Sequence, residues 1–180
     1  MKDLLTKHKV AILEKWYHLI LETYPSDTAG QLKKEKDPFI NPVGSTFSRE
    51  SEAIFNGLLE GKGAEQLCGP LDRIVRIRSV QDFSPSQAVG FIFLLKKAVK
   101  ETFDAQAKDP GTLADWLALN EKIDELALQA FDLYMACREK IFDIKVKEIK
   151  TQKEMMQKML NRINLAAPEE KEKKEKGANS

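Results

Sequence analysis

Residues 76–96 read RIRSVQDFSPSQAVGFIFLLK and decide the fold. Within them, Ser84, Pro85 and Gln87 match the start of a helix, with serine as the N-cap, proline at the first helical position and glutamine at the third. Apolar residues then recur every three or four positions on one broad face, namely Ala88, Phe91, Ile92, Leu95, Ala98, Val99 and Phe103. Because this face is so wide, the stretch predicts a helix at the centre of a helical core.

Apolar residues at helical spacing continue on the amino-terminal side of this stretch. They predict helices at about residues 3–23, 46–59 and 64–80, the last restarted with Pro70 at a first helical position. Residues 24–44 are polar and rich in turn residues, and they predict a long loop. Nothing in the chain alternates with strand periodicity, so we expect an all-α fold built as a single helical bundle.

The carboxyl-terminal part of the chain predicts one long helix. No glycine or proline lies between Gly111 and Pro168, and Thr112 with Asp115 can cap the helix start. A helix of about 50 residues at ~1.5 Å each would extend ~75 Å, which is more than a small domain can cover. The expected divisions are a helical domain at residues 1–145, an extension of the last helix at 146–166, and a disordered charged tail at 167–180.

Apolar residues of this long helix also repeat at intervals of seven. The repeat consists of Leu128, Met135, Phe142, Ile149, Met156 and Ile163. Such spacing is typical of a helix that packs on a partner helix, so the five residues from Met135 onward are the predicted dimer or partner surface. In a coiled coil, the position three residues after each of these is also apolar. Here it holds Lys145 and Gln152 as well as Met159, so the alternative that the end of the helix is amphipathic and packs on its own domain stays open.

Charge and cysteine content argue against several classes of protein. The 29 basic and 28 acidic side chains give a net charge of +1, so no global field attracts nucleic acid or an anionic membrane. Residues 138–163 are the basic part, but acidic residues alternate there and no aromatic platform is interleaved. Cys68 and Cys137 form no metal-binding motif, and no segment resembles a signal peptide or a membrane span. We therefore expect a cytoplasmic protein that neither binds nucleic acid nor inserts into a membrane.

No arrangement of residues typical of catalysis is visible. His8 and His18 lie ten positions apart, on different faces of the first predicted helix, so they cannot chelate a metal together. Gly61-Lys62-Gly63 lacks the spacing and the preceding strand of a phosphate-binding loop. The sequence therefore predicts a protein that is not an enzyme and has no cofactor and no metal site.

Arg78 is the residue that fits the predicted core least well. Leu71, Ile74 and Val75 define an apolar stripe, and Arg78 falls on that stripe. A structural interpretation is that the side chain reaches solvent or pairs with Asp82. A functional interpretation is a polar pocket, formed by Arg78, Gln81, Asp82 and Tyr134, that senses a small anion or a partner's carboxylate.

Several of these stretches together resemble the RsbRD N-terminal domain family, the sensory domains of RsbT co-antagonist proteins. The resemblance rests on Trp16, Tyr24-Pro25, the sequence FINPVG at residues 39–44, and residues 76–96. It covers about residues 5–145, and the block QDFSPSQ at residues 81–87 is its most specific part.

The resemblance implies an input module of bacterial signalling, similar to the non-haem, globin-like domains of the stressosome in the stress response. Such domains tend to dimerise and to pass a signal along an exit helix. The family commonly continues into a STAS output domain, whereas this sequence ends in a charged tail and is expected to act as a stand-alone member. Some stand-alone relatives look typical of sulfate-reducing bacteria, which suggests respiratory regulation.

Two kinds of function follow from these observations. The first is a non-enzymatic signalling or regulatory module that acts through protein interaction and dimerisation of its C-terminal helix. The alternative is a sensor of a small ligand or of redox state with an internal polar pocket, or a scaffold or adaptor of a respiratory complex. An internal pocket would distinguish the sensor, and an exposed apolar stripe would distinguish the interaction module.

Overall fold

The computed structural model describes the backbone of residues 2–34, 37–103 and 110–177, and the side chains of residues 2–34, 37–102 and 113–163. Within these ranges the chain forms seven α-helices, one short 3-10 helix and no strand. The helices are α1 (Lys2–Lys7), α2 (Lys9–Leu21), α3 (Ser26–Lys34), α4 (Pro42–Leu59), α5 (Cys68–Ser79), α6 (Pro85–Phe103) and α7 (Pro110–Gly177), with the 3-10 helix at Ala64–Leu67. The prediction of an all-α fold with a long C-terminal helix is confirmed.

Helix α6 lies in the core, as its apolar face predicts. It packs mainly against α2, while α4 packs mainly against α5. The buried residues of α6 include Ala88, Phe91, Ile92, Leu95, Ala98 and Val99, and the side chain of Phe103 lies outside the described residues. Trp16 of α2 is fully buried and donates its indole N–H to the carbonyl oxygen of Phe91 at 2.8 Å. This bond satisfies the one polar group of a large buried side chain.

The start of α6 has the geometry that its sequence predicts. The Gln87 backbone N–H donates to Ser84 Oγ at 3.3 Å, and the Ser84 backbone N–H donates to Gln87 Oε1 at 3.0 Å. Two backbone donors that the helix cannot satisfy itself are therefore paired reciprocally.

The amino-terminal prediction is wrong in two places. The helix expected over residues 3–23 is divided into α1 and α2 at His8, whose ψ of 11° departs from helical geometry. The loop expected over residues 24–44 contains α3 and the first turn of α4. No residue of α3 is fully buried in the part of the chain that the structure describes, and only Ala29 and Leu32 pack against the core, so its apolar period is too short to recognise.

Helix α4 begins at Pro42, four residues before the predicted start. The Asn41 side chain accepts a hydrogen bond from the Gly44 backbone N–H at 2.8 Å, and Pro42 occupies the first helical position. A Cβ atom at Gly44 would collide with the Asn41 side chain, so the cap needs glycine there. The prolines were taken as signs of a loop, but Pro42 belongs to a helix start of the same kind as that of α6.

The restart of the third predicted helix is also displaced. The 3-10 helix covers Ala64–Leu67, and α5 follows it directly at Cys68. Pro70 is therefore the third residue of α5 and not the first. The missing N–H of a proline is still harmless there, because the first four backbone N–H groups of a helix have no partner within it.

The contacts of the chain divide it into two units, Met1–Cys137 and Arg138–Ser180. In the first unit, α7 contributes the buried residues Leu119, Ile123, Leu126, Ala127, Ala130 and Tyr134 to the core. The predicted cap residue Thr112 lies outside the described side chains, as do all side chains from residue 164 onward. The divisions expected at residues 145 and 166, and the disorder expected for residues 167–180, stay predictions, although the backbone of α7 is helical to Gly177.

Within the described ranges, no helix combines the length and the apolar composition that crossing a membrane would require.

Candidate functional site

Arg78 lies in the last turn of α5 and is fully buried, with 0 % of its surface exposed. Its burial follows from the helix, since Leu71, Ile74 and Val75 on the same stripe are buried as well. A long cationic side chain placed among them must find its partners inside the protein, because burying an unpaired charge is very unfavourable.

The Arg78 guanidinium donates three described hydrogen bonds, all to neutral groups. Nε donates to the carbonyl oxygen of Ala88 at 3.0 Å, and Nη2 donates to the carbonyl oxygen of Gln87 at 2.9 Å. Nη2 also donates to Thr23 Oγ1 at 3.1 Å. One side chain of α5 thus joins the beginning of α6 to the segment that follows α2.

Three aromatic rings surround the same guanidinium. The Arg78 Cζ atom lies 4.1 Å from the ring centroid of Phe83, 5.3 Å from that of Tyr24 and 5.7 Å from that of Phe91. Tyr24 and Phe83 are themselves in edge-to-face contact, with centroids 5.0 Å apart. Cation–π attraction of this kind is stronger where water is excluded, so the rings partly offset the cost of burying the charge.

No carboxylate forms an ion pair with Arg78 among the described residues. Burial lowers the pKa of the Arg78 guanidinium from its ordinary value, while the nearby Tyr24 hydroxyl opposes this change. Burial also raises the pKa of the Tyr24 hydroxyl, against the opposing effect of Arg78. Arg78 Nη1 is buried and has no hydrogen-bond partner in the described part of the chain. Among the described residues, the cluster therefore holds a buried cation with one nitrogen, Nη1, whose N–H groups have no acceptor.

The structure brings some of the predicted pocket residues together and leaves others apart. Gln81 is close to the cluster, since the Tyr24 hydroxyl donates to Gln81 Oε1 at 2.8 Å. Asp82 is exposed, and the expected ion pair with Arg78 is not formed among the described residues. Tyr134 is buried in α7, and no described hydrogen bond or ring contact joins it to Arg78 or Gln81. A sensing pocket at these residues stays a prediction.

Sequence reasoning missed most of the groups that actually surround Arg78. Thr23 was interpreted only as the end of a helix, Tyr24 as a helix end and part of the family resemblance, and Phe83 only as part of that resemblance. One signal for these contacts was available in the sequence. An aromatic residue, Tyr24, follows the first predicted helix, and another, Phe83, comes just before the predicted core helix.

A second charged cluster, also missed, joins α4 to α5. Glu50 of α4 is 2 % exposed and accepts from Arg49 Nε at 2.7 Å and from Arg73 Nη2 at 2.8 Å. Burial raises the pKa of the Glu50 carboxyl, but the hydrogen bonds from Arg73 and Arg49 outweigh it, so the pKa is lowered from 4.5. Glu50 is therefore an ionised carboxylate that holds two arginines in place.

The residues predicted to form a dimer surface are exposed along α7. In the first unit Met135 is 41 % exposed. In the second unit the exposed fractions are 66 % for Phe142, 64 % for Ile149, 65 % for Met156 and 64 % for Ile163. Other apolar residues of this unit, such as Met155 and Met159, are exposed to a similar extent, so the spacing of seven residues, and not exposure alone, distinguishes these four.

Groups that could bind a metal do not gather in the described ranges, where no three His, Cys, Asp or Glu side chains are suitably placed. Cys68 and Cys137 are half-buried and not bonded to each other.

Comparison with known proteins places this fold in a family. The sequence pattern of the RsbT co-antagonist protein rsbRD N-terminal domain matches residues 10–146, which is more than half of the chain. The chain belongs to this family. Its members' role in signalling supports a regulatory function for the chain, as the resemblance of the quoted stretches implies.

One relative of the chain is a curated protein of Archaeoglobus fulgidus, described as an uncharacterized protein. It is 28 % identical over 157 residues, which cover 83 % of this chain and 90 % of the relative. No solved structure was found to match the chain. The comparisons therefore support the family and a regulatory role, without a defined activity.

Proposed function

We propose that this chain is a non-enzymatic signalling module that acts as a homodimer through the second unit of α7. The observation that carries the proposal is the exposure of Phe142, Ile149, Met156 and Ile163 at intervals of seven residues. Family membership supports the regulatory part of the proposal. The occupant of the apolar stripe is a second copy of the same chain.

The sequence around the stripe suits a parallel, in-register pair of helices. In that arrangement, the residue directly before a stripe residue lies beside the residue five positions later on the opposite helix, at the edge of the stripe. Glu148 then faces Lys153 of the second copy, Ile141 faces Val146, and Met155 faces Leu160. One attractive ion pair and two apolar pairs are formed on each side, and Lys145 and Gln152 disfavour other registers.

Sedimentation analysis of the full chain over a range of concentrations tests the dimer. Ile149→Asp places a charge inside the stripe, so the variant is expected to be monomeric where the natural chain is dimeric. Thr151→Asp is the matched control, because it adds the same charge two residues away on the exposed outer surface of α7. A natural chain that stays monomeric at all concentrations, or equal behaviour of the two variants, would refute the proposal.

Charge reversal tests the parallel arrangement. Glu148→Lys and Lys153→Glu should each weaken the dimer, because each sets like charges against one another. The double variant restores opposite charges only when the two helices are parallel and in register. Failure of the double variant to recover dimerisation would show another arrangement.

A second candidate function is the sensing of a small anion by Arg78. It is favoured by the buried charge without a carboxylate partner and by the unused donor Nη1. A ligand present at ~100 times its dissociation constant should stabilise the fold by about 2.7 kcal/mol. If Arg78 binds a small anion, small carboxylates or phosphates should raise the melting temperature of the natural chain. They should leave the melting temperature of Arg78→Met unchanged.

A further inference from the structure

A cavity of about 510 Å³ lies between α2, α3 and the first half of α4, away from the Arg78 cluster. Tyr17 and Leu32 supply its apolar wall, and residues of α4 supply its polar wall. Its volume lies within the range of ~300–1,000 Å³ that is usual for small-molecule sites.

Two cations line this cavity. Lys33, in the last turn of α3, lines the cavity, and no hydrogen bond or ion pair of its ammonium group is found within the described residues. Arg49 enters from α4 and uses its Nε for Glu50, which leaves its two terminal nitrogens without a described partner. Among the described lining residues the one carboxylate is Glu52, which is paired with Lys9 at 2.7 Å. The described lining therefore carries an excess of positive charge.

The buried carboxylate of Glu50 fixes the orientation of Arg49. Glu50 accepts from Arg49 Nε and, through its other oxygen, from Arg73 of α5. A guanidinium held at Nε keeps its remaining N–H donors in a planar fork, which is the geometry that binds carboxylates and phosphates with two bonds. Less side-chain entropy is lost when an anion binds to an arginine that is already positioned.

Hydroxyl groups complete the polar wall. Ser45 and Ser48 line the same cavity from one face of α4, since they precede Arg49 and Glu52 at helical spacing. An adjoining cavity of about 320 Å³ shares Tyr17, Ser48 and Glu52 with the first. That second cavity is lined by Ser51, whose Oγ is buried and has no hydrogen-bond partner among the described residues. Unpaired polar atoms of this kind are rare in native folds and call for a partner.

We propose that this cavity binds a small organic anion, a carboxylate or phosphate joined to an apolar body. The anion is bound by Arg49 and Lys33, and the apolar body lies against Tyr17 and Leu32. Ser45 and Ser48 donate further hydrogen bonds to the anion. The proposal does not depend on dimerisation, because all of these residues belong to the first unit of one chain.

Nuclear magnetic resonance titration of the full chain tests the site, because it detects weak binding of simple probes. Benzoate and phenyl phosphate serve as the anionic probes, and benzamide is the uncharged control of the same shape. The anionic probes are expected to shift the backbone amide signals of Ser45, Ser48 and Arg49. Benzamide should leave those signals in place, because it offers no charge to the two cations.

Lys33→Gln and Lys34→Gln form a matched pair of variants. Both lysines are exposed, but Lys33 lines the cavity and its neighbour Lys34 does not. Lys33→Gln should raise the dissociation constant of both anionic probes by about tenfold, the usual effect of losing a bond to a charged group. Lys34→Gln should raise it by less than about twofold, because only a screened surface charge is lost.

Arg49→Gln should weaken binding at least as much as Lys33→Gln. The backbone amide signals of Arg49→Gln from residues away from the cavity show whether this variant keeps the fold. The proposal fails when benzamide shifts the same signals as benzoate, when neither anion shifts them, or when Lys33→Gln and Lys34→Gln have equal effects.

Discussion

At the scale of a single residue, Arg78 shows how a buried cation can be held without a carboxylate. Its bonds go to the carbonyl oxygens of Gln87 and Ala88 and to the Thr23 hydroxyl, and three rings cover its faces. Removing a buried charge whose partner is also charged leaves that partner uncompensated. Removing Arg78 leaves only neutral acceptors among the described residues, so the consequences for stability should be milder.

We expect Arg78→Met to change the free energy of unfolding by less than about 1.5 kcal/mol, because an unbranched apolar side chain fills similar space and none of the described partners of Arg78 is charged. Arg78→Ala should cost about 3–5 kcal/mol, as for other large buried side chains, because it leaves a cavity. Urea denaturation of both variants measures the difference. Equal losses would mean that the hydrogen bonds of Arg78 are a net source of stability.

The position of Arg78 on the core stripe could be predicted from sequence, but the full burial of its guanidinium and the partners that surround it could not. Helical spacing from Ile74 and Val75 was enough to place the side chain on the core stripe. Thr23 lies 55 positions earlier, and no local pattern connects the two residues. The aromatic partners likewise come from separate segments, so only the packing of α2, α5 and α6 shows which of them meet.

At the scale of the element, two helix starts of the same kind were interpreted differently. Ser84-Pro85 precedes a wide apolar face, so the start of α6 was predicted correctly. Asn41-Pro42 has the same capping chemistry, but the polar segment before it suggested a loop. Helix α3 was missed because none of its residues is fully buried in the described chain, and only Ala29 and Leu32 pack against the core, which is too few to give a clear apolar period.

Ser84→Ala should reduce stability by about 0.5–2 kcal/mol, because the Gln87 backbone N–H loses its acceptor at the start of α6. Ser86→Ala is the control, since the Ser86 hydroxyl has one described contact, with Ser84 Oγ at 3.2 Å. Thermal unfolding of the two variants provides the measurement. A loss for Ser86→Ala as large as that for Ser84→Ala would contradict the capping role.

At the scale of the whole molecule, the first unit joins its helices through a few buried polar groups. Arg78 connects the segment after α2 with α5 and α6, and Glu50 connects α4 with α5. The sequence predicted the helical class and the family, because both depend on local patterns and motifs. It did not predict these cross-links, because each joins residues that only the tertiary fold brings together.

The lowered pKa of Glu50 makes stability depend on pH in a defined direction. The unfolded chain binds the proton of this carboxyl more readily, so the stabilisation is complete above the ordinary value of 4.5 and is lost as the pH falls through the lower folded value. Glu50→Gln should therefore flatten the fall in stability that occurs as the pH drops below the ordinary value of 4.5. Urea denaturation at a series of pH values measures the slope.

Glu154→Gln on the exposed surface of α7 is the control for this experiment. It should leave the slope of stability against pH close to that of the natural chain. A slope unchanged in Glu50→Gln would show that the arginines around Glu50 do not favour its ionised form.

The contacts of Arg78 also have a consequence for the order of folding. Its bonds to Gln87 and Ala88 close loops of nine and ten positions, whereas its bond to Thr23 closes one of 55. The longer loop costs about 1.5 kcal/mol more chain entropy than the shorter ones. We therefore expect that, during folding, the guanidinium forms its hydrogen bonds to α6 first, while it is still in contact with water. It should lose its last water only when α2 packs and brings Thr23 and Tyr24 into contact with it.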